Sequence, residues 1–206
     1  MLDQILLNWK PYILSEDKLP CLITYGKNMG GSHLSITLIS QLFTQGSKIL
    51  FMTAYPMAKD NFLNQIGQNP DKIIYMSSID ELENSPDTQV IIIESGNAIL
   101  FQKALDLLPD INERVIFIKN IEIFNEEIFD ACIKHEKVII SGNIDECNFK
   151  NKFIETTFKT IIAFNQPESL ISIEVPKLEK WSSFLTDQDQ NGILTITPTQ
   201  STQLLK

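Results

Sequence analysis

Leu22-Ile-Thr-Tyr-Gly-Lys-Asn-Met-Gly-Gly-Ser-His-Leu34 joins a short apolar run, a glycine-rich turn and the start of a helical pattern. A strand that runs through such a turn into a helix lets successive backbone N–H groups converge on a phosphate. A working loop of this kind reads G-x-x-x-x-G-K-[ST]: the lysine reaches the terminal phosphates and the hydroxyl takes Mg²⁺. With Ser32 as that hydroxyl, Gly30 falls on the last glycine, Gly31 stands where the lysine belongs, and Tyr25 replaces the first glycine. Gly26 comes one place late, and Lys27 is too early in the loop to fill the lysine position. The residues that would cradle a bound nucleotide are Gly26, Lys27, Asn28, Gly30, Gly31, Ser32 and His33, with Ser32 the Mg²⁺ ligand if a nucleotide binds. The competing reading is a ligand-free turn between a strand and a helix.

Outward from the loop, continuous apolar runs alternate with amphipathic stretches, the pattern of a parallel sheet covered on both faces. Strands are expected at Cys21–Tyr25, Lys48–Thr53, Lys72–Met76, Gln89–Glu94, Arg114–Lys119, Lys137–Ser141 and Thr160–Phe164. Helices are expected at Ser32–Thr44, Met57–Ile66, Ile99–Leu108 and Asn125–His135, the last with Asn125 as cap and Glu126 and Glu127 in its first turn. After Pro167 the pattern becomes alternating, and Leu170–Val175 and Gly192–Thr197 read as an antiparallel hairpin. Leu2–Trp9 fits a short amphipathic helix, and the polar tail Thr199–Lys206 is expected to fray. The fold class is therefore a three-layer α/β/α domain spanning 1–206, with an N-terminal helix at 1–10 and a C-terminal antiparallel addition at 168–198.

Composition narrows the function. The chain has 206 residues and a net charge of −9, with sixteen lysines and one arginine, Arg114. Binding DNA or RNA by counterion release needs a basic face, so direct nucleic-acid binding is not expected. No apolar run reaches the roughly 18–20 residues of a membrane span. The N-terminus has no basic region before an apolar core and no small-residue cleavage site, so no signal peptide is expected there. Cys21, Cys132 and Cys147 are odd in number and unpatterned. That favours reduced thiols in a cytoplasmic protein over a disulfide framework or a zinc site.

A nucleotide-hydrolysing loop also needs an acid at the end of a second buried strand, to position Mg²⁺ and polarise water. Gln89-Val-Ile-Ile-Ile-Glu94 ends in Glu94, which becomes the candidate catalytic acid; the alternative is a polar residue at a strand exit. The rival strand ends in Lys119, which would repel a metal. Ser141-Gly142-Asn143 closes a further strand, where a polar residue can sense a terminal phosphate or simply solvate a turn. Arg114 precedes its strand, at the end opposite to the ligand side of open α/β sheets, and reads as structural.

Leu22–Leu34, Ile49–Thr53, Val90–Glu94 and Val138–Asn143 together resemble the RecA-like P-loop NTPases. The longer pattern looks loosely like the cores of DNA translocases and type IV secretion ATPases. That resemblance implies a mainly parallel sheet of about seven strands. It also implies ATP or ADP with Mg²⁺ as cofactor where the chemistry is intact, and an oligomeric assembly. Ser32 matches the family's metal hydroxyl and Glu94 its acid in type only, while the lysine has no match. Some RecA-like subunits, as in the Elongator subassembly, lack nucleotide chemistry and serve as structural members of rings. The expectation is a pseudo-ATPase of that kind, with no cofactor and with protein subunits as homo- or hetero-oligomeric partners. Trp181–Phe184 and the Leu6–Trp9 segment are the candidate contact surfaces. The alternative is a divergent ATPase that binds nucleotide through loop backbone groups and completes its site with a neighbouring subunit.

Overall fold

The structure, a computed structural model, describes residues 3–67, 73–76, 88–94, 98–170, 173–179 and 182–197. All seven expected strands are present: β3 (Cys21–Thr24), β4 (Ile49–Thr53), β5 (Ile73–Met76), β6 (Val90–Glu94), β7 (Val115–Lys119), β8 (Val138–Gly142) and β9 (Thr160–Ala163). They pair in parallel in the order β9-β3-β8-β7-β4-β6-β5. The continuous apolar runs hide a period of two. In β7, Val115 and Phe117 enter one core cluster while Ile116 and Ile118 enter the other; Ile49 and Phe51 against Leu50 and Met52 do the same in β4. Both faces are apolar because both are covered.

On the first face lie α1 (Gly31–Thr44) and α2 (Pro56–Ile66); on the second lie α3 (Ala98–Leu107), α4 (Glu126–Cys132) and the single-turn α5 (Lys152–Glu155). The layers are thus helix, sheet, helix. In α1 the buried hydroxyls of Thr37 and Ser40 donate to the carbonyls of His33 and Ile36, at 2.9 and 2.7 Å, so burial leaves them satisfied. Asn125 caps α4 as expected: its side-chain oxygen accepts from the Ile128 amide at 3.1 Å. The helix stops at Cys132 rather than at His135, because the chain must turn back to enter β8 at Val138.

Two expectations at the chain's ends are corrected. The N-terminal segment is a strand rather than a helix: β1 (Gln4–Leu7) pairs antiparallel with β11 (Asn191–Thr197), Leu7 opposite Leu194. Ile5 and Leu7 alternate into the core. Asn8 and Trp9, at φ 49° and 70°, then turn the chain into the short β2 (Lys10–Pro11). Two successive positive φ values are the signature of a tight two-residue hairpin, and Asn tolerates that conformation. The C-terminal hairpin is β10 (Ser183–Asp187) with β11, and the described residues between 170 and 175 form no strand. Gln166 supplies what a strand neighbour would have. Its amide donates to the Leu170 carbonyl at 3.1 Å and accepts from the Val175 amide at 2.9 Å, while Leu170 drops into the core.

β10 pairs antiparallel with β9, so β10, β11, β1 and β2 extend the same sheet to eleven strands. Trp181 and residues 199–206 lie outside the described residues. Trp9 is 83% exposed. Among the described residues no helix is long and apolar enough to cross a membrane.

Candidate functional site

β3 leaves the sheet at Thr24, the loop follows, and α1 begins at Gly31. Asn28 and Gly30 adopt left-handed φ values of 61° and 90°, and this folds the loop over the helix N-terminus. An open cleft of about 380 Å³ sits there. Gly26, Lys27, Asn28, Gly30, Gly31 and Ser32 line it, as do Met29 and Tyr25. The segments that follow β7 and β8 contribute Asn120, Glu122, Asn143 and Glu146. His33 does not line the cleft; its Nε2 lies 2.8 Å from the Asp3 carboxylate and ties the N-terminal segment to the first turn of α1.

Glu94 is not brought to the loop. β6 is separated from β3 by β8, β7 and β4, about 19 Å at ~4.8 Å per strand. Its carboxylate pairs instead with Lys59 at 2.6 Å. The strand whose end faces Ser32 is β7, and the residue there is Lys119.

Lys119 is 1% exposed, and its Nζ donates to Ser32 Oγ at 2.7 Å, to Asn120 Oδ1 at 3.1 Å and to the Tyr25 hydroxyl. Three acceptors match the three protons of an ammonium, and all three are neutral oxygens. Burial pushes the Lys119 pKa down to about 8, against the opposing charge of Glu122.

Tyr25 fills the space beside Gly31. A Cβ built on Gly31 would lie 2.0 Å from Tyr25 Cγ, so any side chain at that position collides with the ring. The ring is buried and packs edge-on against Phe164, with centroids 6.1 Å apart. Burial, the largest influence on it, raises the phenol pKa and keeps the hydroxyl protonated. The Tyr25 ring and the absence of a side chain at Gly31 therefore depend on one another.

The strand ends are cross-tied behind this group. Glu122 accepts from Asn120 Nδ2 at 3.2 Å and from the Asn143 amide at 3.0 Å. Gly142 has φ +149°, and a Cβ on it would lie 2.1 Å from the Glu122 carboxylate. Ser141 is buried and donates to the Ile118 carbonyl at 3.3 Å rather than into the cleft.

The donor set does not fit Mg²⁺. That ion needs hard oxygen ligands in near-octahedral array, and in P-loop enzymes it sits between the loop hydroxyl and a carboxylate. Here the loop hydroxyl faces an ammonium, which can only donate. Among the described residues no cluster of three or more His, Cys, Asp or Glu side chains is placed to hold a metal. The N-terminus of α1 and the exposed Lys27 remain compatible with an anion, while Glu122 and Glu146 in the same cleft oppose one.

Arg114, at the other end of β7, is also buried. Its guanidinium grips the Asp110 carboxylate at 2.7 and 3.0 Å and donates to the Thr88 carbonyl at 2.9 Å. The chain's single arginine is therefore spent inside the fold.

Neither the profiles of known protein families nor the sequences of characterised proteins match the chain. Solved structures do match in shape. The DNA-packaging ATPase B204 of Sulfolobus turreted icosahedral virus superposes with a TM-score of 0.54 at 13% identity, over 86% of this chain and 96% of its own. The genome-packaging NTPase B204 of Sulfolobus turreted icosahedral virus 2, solved with ATP-γS, gives 0.54 at 16% identity over 90% and 98%. ATPases 2 and 3 of EssC from Geobacillus thermodenitrificans give 0.54 at 14% identity, over 95% of this chain and 40% of theirs. Identities this low speak for architecture alone: the chain shares the fold of the packaging and EssC ATPases, and at the start of its α1 the Ser32 hydroxyl is bonded to Lys119.

Proposed function

We propose that this protein is a catalytically silent RecA-like subunit, a structural or regulatory member of a larger protein assembly. The observation that carries the reading is the Lys119–Ser32 bond of 2.7 Å, an ammonium where phosphoryl transfer requires an acid and a metal. The missing loop lysine and the Tyr25 ring in its path support it, since the charge that stabilises the transition state is then absent from the loop. Buried Arg114 adds to the case. A neighbouring copy of this chain has no arginine left to lend across an interface, so self-assembly does not complete a hydrolytic site.

The fold likeness to packaging and EssC ATPases supports a place in a DNA-handling or secretion assembly, reached through protein contacts. The charge of −9 weighs against direct contact with nucleic acid. Exposed Trp9 on the β1–β2 turn is one side chain available for such contacts. The second reading, a divergent ATPase using loop backbone groups, rests on the open cleft.

Steady-state phosphate release at saturating MgATP separates the two. The expected rate is indistinguishable from buffer. A rate of roughly 1 s⁻¹ or more, as in ordinary kinases, that disappears in Ser32→Ala would restore the enzyme.

A further inference from the structure

We infer that Lys119 is a resident cation: its ammonium holds the place at Ser32 that a divalent metal takes in a working loop, and keeps the loop folded without metal or nucleotide. The inference rests on the reading of the site as catalytically silent, and adds what the site selects against. A cation is wanted at that point because the Ser32 hydroxyl, the Tyr25 hydroxyl and Asn120 Oδ1 all turn an oxygen toward it. In a working loop a metal would answer to oxygens converging in this way; here the β7 side chain does so from inside the protein.

The supply route is consistent. The loop's own path for a lysine is filled by the Tyr25 ring against Gly31, so the charge arrives from the opposite side, along β7. Burial then fixes it. Lys119 is 1% exposed and cannot swing out to solvent without disturbing Tyr25, whose ring its Nζ also approaches at 5.1 Å from the centroid. The nearest carboxylate in the network, Glu122, is engaged with Asn120 and the Asn143 amide. It steadies the strand ends without bonding the ammonium.

Two consequences follow. Divalent metals are excluded by like charge at contact distance, so a metal–nucleotide chelate has no seat. The loop is also preorganised, so its shape, and any surface built on it, does not depend on nucleotide state.

Thermal denaturation of the whole chain with millimolar ADP, in excess MgCl₂ or in EDTA, tests this. The wild type is expected to melt at the same temperature in both. Lys119→Asp replaces the cation with a carboxylate facing Ser32, and is expected to gain a Mg²⁺-dependent rise of about 3 °C or more in the presence of ADP. Adding Ser32→Ala to that variant should abolish the rise. A wild type that is itself stabilised by Mg²⁺ with ADP, and loses this in Ser32→Ala, overturns the inference. So does a folded Lys119→Asp chain as blind to Mg²⁺ as the wild type.

If Lys119→Asp does not fold, Lys119→Met supplies the readout. Amides of residues 25–34 should exchange hydrogen faster than in the wild type, while those of β4 and β6 keep their rates. Unchanged exchange at the loop contradicts a cation that holds it. The two readings fail separately. ATP turnover without any metal dependence sinks the functional proposal alone, and a metal-dependent shift without turnover sinks this inference alone.

Discussion

One strand, β7, is bracketed by two buried cations that solve burial in opposite ways. At its start, Arg114 meets the Asp110 carboxylate through two bonds, 2.7 and 3.0 Å, with Lys48 on the same carboxylate at 2.9 Å. At its end, Lys119 meets only neutral oxygens and carries a pKa lowered to about 8. The first arrangement is a neutralised clamp that joins the connection before β7 to the Thr88 carbonyl next to β6. The second leaves a charge without a bonded carboxylate, tied only to the loop oxygens it gathers. Stability and site chemistry have been separated to the two ends of one strand.

The largest effect that can break the comparison is at the clamp. Arg114→Met leaves Asp110 and the Thr88 carbonyl without their buried partner and is expected to cost about 3–5 kcal/mol in urea denaturation. Lys119→Met removes a charge that has no bonded carboxylate, and Tyr25 and Ser32 remain close enough to bond one another. It should leave stability within about 1 kcal/mol of the wild type, or raise it. If the two costs came out equal, or reversed, the separation of roles would be wrong.

Acid sharpens the same contrast. Burial alone would raise the Asp110 carboxyl, but hydrogen bonds from Arg114 and Lys48, with their charges, bring it below its ordinary value of 3.8. A folded value below the unfolded one means that the clamp's contribution is complete above about pH 4. It is lost as the pH falls through the folded value. The acid limb of a stability–pH curve should therefore be shallower in Asp110→Asn than in the wild type, while Lys119→Met leaves that limb unchanged.

The smallest expected effect lies away from both cations. Asn125→Ala removes the α4 cap and should cost about 1 kcal/mol. Its role is to calibrate what an ordinary local interaction contributes, against which the Arg114 loss should stand out several-fold.

Much of this architecture is legible in the sequence. Apolar runs such as Val90–Ile93 announce strands buried on both faces, and the Asn125-Glu-Glu start announces a capped helix. Strand order was not legible, because a crossover helix can deliver its strand to either side of the growing sheet. The sequence alone therefore points to Glu94 as the acid, although β6 lies beyond β4. Lys119 was visible only as the wrong residue for a metal site. Its meaning comes from being paired in space with Tyr25, another residue out of place in the loop.

Leu2–Trp9 misleads for a different reason. Over eight residues, apolar positions at 2, 5, 6, 7 and 9 satisfy a helical face as well as a strand ending in a turn, and what decides between them is the partner strand Asn191–Thr197, far along the chain.

The central claim is that a lysine stands where a metal would. A crystal structure of the wild-type chain grown with MgCl₂ and ADP tests it most directly. The account predicts Lys119 Nζ bonded to Ser32 Oγ at 2.7 Å as here, with no ion between them. A Mg²⁺ ion ligated by Ser32, with the Lys119 side chain displaced from Tyr25, would contradict it.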